Sequence, residues 1–168
     1  MFKSLFRKKT KPIKKYLVLT KVAKSLAVSS FIPFCEKFPE LKNVYELELI
    51  NDYERLVKSA GISIALMRLS SYYNMEKSTE YTKSIMSELN NEETKLIADF
   101  GQYLEEIADG ELINEVEDFY FHVGEWIFAH LAENSNNDNE IEILAEHKDL
   151  KSDLGKYMTI TFQDFWVQ

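Results

Sequence analysis

The pattern of apolar and polar positions is organised around the stretch Val44–Tyr73. At about 100° per residue, Tyr45, Leu49, Tyr53, Leu56, Val57, Ala60, Ile64 and Met67 fall on one helical face. Glu48, Asn51, Arg55 and Lys58 lie opposite. After Gly61 the polar side becomes apolar, with Ile62, Leu66, Leu69 and Tyr73 on it. A helix apolar all round is covered on all sides, so Gly61–Tyr73 is expected to be the buried centre around which the other helices pack. Glycine inside a helix costs ~1 kcal/mol relative to alanine, and Gly61 is therefore expected to mark the close approach of a neighbouring helix. Arg68 interrupts the apolar run; its stem is expected to cross apolar surface towards a carboxylate or water.

The rest of the chain repeats the helical period. Leu19, Val22, Ala23, Leu26 and Ser30 define one face of a helix predicted over Tyr16–Ile32, with Lys21 and Lys24 on the other. Pro33 and Pro39 bracket FIPFCEKFPE, predicted to be an extended connection. Residues 75–89 carry Ser78, Tyr81, Thr82, Ile85 and Leu89 at helical spacing. Asn90 followed by Glu93 has the form of a capping signal for a helix over Glu92–Asp109, whose Leu96, Ile97, Phe100, Leu104, Ile107 and Ala108 share a narrow arc. Gly110 is expected to stop it. A further helix is predicted over Glu111–Glu133, with Leu112, Val116, Phe119, Tyr120, Val123, Trp126, Ile127 and Leu131 on its apolar face. Glu111, Glu115, Asp118, Glu125 and Glu133, joined by His122, form the opposite stripe. Asn134–Asn139 reads as a polar loop. In the last segment Leu150, Leu154, Tyr157, Met158, Thr161, Phe162 and Phe165 fit a helix. MTITF also alternates like a strand, but no second strand exists for it to pair with, so helix is predicted there.

With five glycines and three prolines, the chain lacks the turns of an all-β sandwich. The expected fold is all-α: one domain over 1–168, a bundle of five to six helices around Val44–Tyr73, with 1–15 a basic N-terminal strap. A chain of 168 residues can bury roughly 70% of its unfolded surface, enough for a proper core. The single Cys35 rules out an intramolecular disulfide, and a cytoplasmic setting is the expectation. Cys35 has only Lys37 as a nearby basic residue and no histidine close in sequence, so a packed thiol is expected rather than a nucleophile.

Charge changes the picture more than composition does. Met1–Cys35 carries nine Lys/Arg and no acid; beyond it, 11 basic residues face 28 acidic ones, a formal −17. The body should attract basic surfaces and the strap should do the reverse. Lys21 and Lys24 break the apolar run Tyr16–Ile32, which argues against a secretory signal or membrane span. The strap is expected to lie on the acidic body. The alternative is contact of Phe2, Lys3, Arg7, Lys8 and Lys9 with a membrane surface or phosphate groups.

Candidate chemistry is sparse. Each of His122 and His130 has a glutamate three residues on, Glu125 and Glu133. Asp118, His122 and Glu125 could converge, whereas His130 lies about 12 Å further along the axis. These three are the alternative metal site of a helical enzyme. The chain has no Glu-x-x-His for a di-iron bundle site and no HExxH. It also has no GxGxxG, GxxxxGK[ST] or GxSxG. No catalytic residue and no cofactor is assigned. A nucleic-acid reader would need a basic recognition helix, and none is present. The expected function is a non-enzymatic module that binds a basic protein through Asp99, Glu105, Glu106, Glu111, Glu115, Asp118 and Glu125, in the manner of an inhibitor or toxin-immunity protein. A membrane-peripheral accessory protein is the alternative.

Overall fold

The computed structural model describes residues 15–135 and 146–167, and every regular element among them is helical. The described residues form seven α-helices: α1 Leu19–Lys37, α2 Lys42–Glu46, α3 Ile50–Leu69, α4 Met75–Met86, α5 Asn91–Asp109, α6 Val116–Asn134 and α7 Lys148–Gln163. Short 3-10 turns at Lys15–Leu17 and Pro39–Leu41 precede α1 and α2.

The count exceeds the expected five to six because Val44–Tyr73 is not one helix. Glu48 adopts a positive φ of 61°. There the N–H of Leu49 bonds the carbonyl of Val44 at 2.8 Å, and that of Glu48 bonds Tyr45 at 3.0 Å, the closure that ends a helix on a left-handed residue. The break changes the helical phase, so Tyr45 leaves the face of Tyr53 and Leu56 and is 67% exposed. Met67 is exposed as well, and the helix stops at Leu69, before Tyr73. Arg68 is exposed, so its charge needs no buried partner. Within α3, Ser59–Ala65 are buried without interruption, and α3 packs against α1, α5, α6 and α7. At Gly61 the close approach is real: a Cβ there would lie 2.5 Å from the Phe162 ring of α7.

The connection FIPFCEKFPE is also corrected, since α1 continues through Pro33 to Lys37. Proline lacks the N–H that would bond the carbonyl of Ser29. Both residues are exposed, so water can satisfy that carbonyl and the helix survives. The predicted face of α1 is otherwise as expected, with Leu19, Ala23 and Ser30 buried and Lys21 and Lys24 exposed.

The capping box that opens α5 is formed: the N–H of Glu93 donates to the Asn90 side chain at 2.9 Å, and the N–H of Asn90 donates to Glu93 at 3.1 Å. Its far end differs by one residue from expectation. Gly110 has an ordinary φ of −78°, and Glu111 takes the left-handed position at φ 55°. The N–H groups of Glu111 and Leu112 close on Ala108 and Ile107 at 3.1 and 3.0 Å. A left-handed non-glycine residue costs roughly 1 kcal/mol. Glu111→Gly is therefore expected to raise stability by about 0.5 kcal/mol after the added freedom of the unfolded chain is set against it. A thermal melt reads this as an upward shift; an unchanged or lower midpoint would show that the cap is not strained.

This left-handed turn also shortens the next helix, which begins at Val116 instead of Glu111. The core joins Phe100, Trp126, Phe128, Phe162 and Trp166, with Phe100 edge-on to Trp126 at 4.9 Å. The Trp166 indole N–H donates to the carbonyl of Ala65 at 2.6 Å, tying the C-terminal end to α3. MTITF lies in α7, as predicted. Of the expected Asn134–Asn139 loop, Asn134 belongs to α6 and residues 136–139 lie outside the described residues.

Candidate functional site

Burial of Ile97, Phe100, Leu104 and Ile107 fixes the orientation of α5 and turns Glu105, Glu106 and Asp109 outward. The connection to α6 then carries Glu111 and Glu115, and Glu117 follows in the first turn of α6; all three are exposed. Among the described residues, no Lys, Arg or His pairs with any of these six carboxylates. Glu106 accepts from the Gln102 amide at 2.8 Å, one turn back on the same helix. The sequence carries the signal for this surface. Between Lys95 and Lys148 there is no Lys or Arg, and there are fourteen acids.

The other three acids expected on this surface are held within the fold. Asp99 accepts from the Trp126 indole N–H at 2.8 Å and contacts His130 Nε2 at 3.1 Å. His130 Nδ1 lies 2.9 Å from the Trp126 carbonyl oxygen. Both ring nitrogens thus face groups that can only accept. Asp99 is a strut between α5 and α6. Asp118 accepts from the N–H groups of Glu115 at 3.0 Å and Asn114 at 2.9 Å, capping its own helix. Those two bonds, Glu115's foremost, hold its carboxyl below the ordinary carboxylate range; burial opposes them and His122 adds to them.

Glu125 pairs with Lys151 of α7, whose side chain is 6% exposed and whose ammonium also lies 5.2 Å from the Phe121 ring centre. The pairing was missed from sequence. Its signal was a lysine on the apolar face of α7, next to Leu150 and one turn before Leu154. His122 Nδ1 lies 3.1 Å from the Tyr103 hydroxyl. Asp118, His122 and Glu125 therefore point to three different partners. Among the described residues no group of three or more His, Cys, Asp or Glu is arranged to hold a metal ion, so nothing in the described geometry supports the alternative metal site. The physical reason is the helix start at Val116, where the first turn takes Asp118 as its cap.

Tyr103 is pushed up to about 12, first by burial and then by the Glu125 charge. Its neutral form is favoured by folding, so the stabilisation is present below the ordinary value of 10 and is lost as pH rises through about 12. In an alkaline titration followed by tyrosinate absorbance, Tyr103→Phe is expected to remove one late-titrating phenol. Loss of a phenol titrating near 10 instead would contradict the burial argument.

The clefts do not add chemistry. One of about 350 Å³ between α1 and α2 is lined by Phe31, Ile32, Cys35 and Tyr45, with Glu36, Lys42 and Glu46 at its edge. Burial pushes the Cys35 thiol up while Lys42 pulls it down, and the net shift disfavours the thiolate a nucleophile needs. Phe2, Lys3, Arg7, Lys8 and Lys9 lie outside the described residues. Among the described helices none is long and apolar enough to cross a membrane. No family model matches the chain, and no curated protein or solved structure matches it.

Proposed function

We propose that this chain is a non-enzymatic binding module that receives a basic protein partner on the α5–α6 surface, as an inhibitor or toxin-immunity protein would. The observation that carries the proposal is the segregation of charge: six exposed carboxylates from Glu105 to Glu117 with no paired cation among the described residues. A single-sign surface of this kind raises association rates and rejects acidic competitors. The proposed contact residues are Glu105, Glu106, Asp109, Glu111, Glu115 and Glu117; Asp99, Asp118 and Glu125 are left out of the proposal because they are engaged within the fold.

A partner recovered by pull-down is expected to carry a basic patch and to be released as salt rises. Reversing Glu105, Glu106 and Asp109 to lysine should slow its association roughly tenfold or more, with little change in the helical circular dichroism, since all three are exposed near the C-terminal end of α5. A partner without a basic patch that stays bound at high salt, or an association rate indifferent to the reversal, would remove the proposal.

A further inference from the structure

The cleft of about 350 Å³ between α1 and α2 is lined by two of the three most exposed large hydrophobic side chains among the described residues, Ile32 at 69% and Tyr45 at 67%. Val28 precedes Ile32 by one turn on α1 and is exposed as well. The wall behind them is fixed, because Phe31 meets the buried Tyr53 ring edge-on at 5.2 Å. The buried Cys35 completes that wall. Beyond Tyr45 a second open cleft, of about 540 Å³, runs along Glu46, Glu48, Ile50 and Asn51. Tyr45 and Glu46 line both clefts, so the two make one groove, and the left-handed turn at Glu48 swings Tyr45 outward into it.

Charge selects what can enter this groove. Three exposed carboxylates line it, Glu36, Glu46 and Glu48, against a single cation, Lys42. Among the described residues no Lys, Arg or His forms an ion pair with any of the three acids. Lys37, next in the chain to Glu36, is engaged by Asp153 of α7. An anionic lipid surface or a nucleic-acid strand is therefore repelled. A second copy of the chain meeting this face across a two-fold axis would set the same three carboxylates against themselves.

We propose that the groove receives a basic amphipathic helix of a partner protein. Its apolar side chains seat against Phe31, Ile32 and Tyr45, and its Lys or Arg side chains meet Glu36, Glu46 and Glu48. An amphipathic helix lays its apolar face into a groove of this kind through anchors three and four residues apart. The exposed Tyr45 ring gives a passing cation a further attraction and gives an aliphatic side chain a flat wall. Apolar contact holds the segment, and the acidic edge decides which segment is held. The inference uses none of the α5–α6 carboxylates, so it stands or falls separately from binding on that surface.

The test titrates the full chain into a fluorescent synthetic amphipathic helix of leucine and lysine, with leucine–glutamate and serine–lysine versions beside it, and reads anisotropy. The leucine–lysine peptide is expected to bind, and the other two roughly tenfold more weakly or worse. Ile32→Ser with Tyr45→Ser should weaken binding roughly tenfold, and so should Glu36, Glu46 and Glu48 changed together to glutamine. All five positions are exposed, and unchanged circular dichroism confirms that each variant is folded. Cys35, the single thiol of the chain, lines the groove, so saturating peptide should slow its reaction with a disulfide reagent. Reversal of Glu105, Glu106 and Asp109 to lysine should leave that protection in place. Absence of binding overturns the proposal, as does equal binding of the leucine–glutamate peptide. Binding indifferent to the Ile32 and Tyr45 changes, or a Cys35 rate that the peptide leaves unchanged, would put the peptide on another surface and overturn it too.

Discussion

Alanine at Gly155 or at Gly124 is expected to destabilise the protein by about 3 kcal/mol each, the upper end of what overpacking costs. A Cβ at Gly155 would overlap the carbonyl oxygen of Tyr120, and one at Gly124 would overlap the backbone of Lys151. These are contacts of backbone against backbone between α6 and α7. No rotamer change relieves them, so the two helices would have to separate along their length. Urea unfolding should show lower midpoints with the slope preserved. Two glycines calibrate the result. Gly61→Ala meets the Phe162 ring at 2.5 Å, a side chain and not a backbone, and should cost less. Gly101→Ala meets nothing within 4 Å and should gain up to ~1 kcal/mol from helix propensity alone. A Gly155→Ala protein as stable as the parent would mean that the α6–α7 crossing is looser than described.

The second large effect concerns the pair between the same helices. Glu125→Gln leaves the Lys151 ammonium buried with no countercharge, only an amide oxygen and the Phe121 ring beside it. Removing one partner of a buried ion pair costs ~3–5 kcal/mol; Glu125 is about one-third exposed, so about 2–3 kcal/mol is expected. Lys151→Met removes the charge and keeps the stem, and should cost less than Glu125→Gln. Adding it to Glu125→Gln should restore most of the lost stability. The double-mutant cycle reads the coupling directly, and strict additivity of the two changes would show that the pair contributes nothing. Neither change touches the exposed carboxylates of α5, so the proposed binding of a basic partner should survive in the folded fraction.

Legibility from sequence followed the range of the forces involved. The α5 helix was readable because its start and its inward arc are both local: Asn90 and Glu93 are three residues apart, and Ile97, Phe100, Leu104 and Ile107 need only the helical period. Tyr45 was misplaced because a phase computed along an unbroken helix cannot register the left-handed residue at Glu48. No glycine or asparagine announced that turn; packing of Val44 and Leu49 into the core holds a glutamate there. Pro33 misled in the opposite sense, since its exposed position lets water replace the missing bond.

For the candidate surface, the cation-free stretch from Lys95 to Lys148 was present in the residues themselves. Which carboxylates remain exposed was not, because Asp99, Asp118 and Glu125 differ from Glu105 and Glu111 only in what other helices or turns bring to them.

By itself the sequence determined the helical class, most of the inward faces and the separation of a basic beginning from an acidic body. Each of these depends on residues within a few positions of one another or on a simple sum of charges. The tertiary structure alone decided the crossing of α6 on α7 at Gly124 and Gly155, the burial of Lys151 against Glu125, and the stacking of Tyr16 on Tyr81 beside Tyr73. Those arrangements join residues that no period connects, and they exist only once close packing has chosen which helices touch.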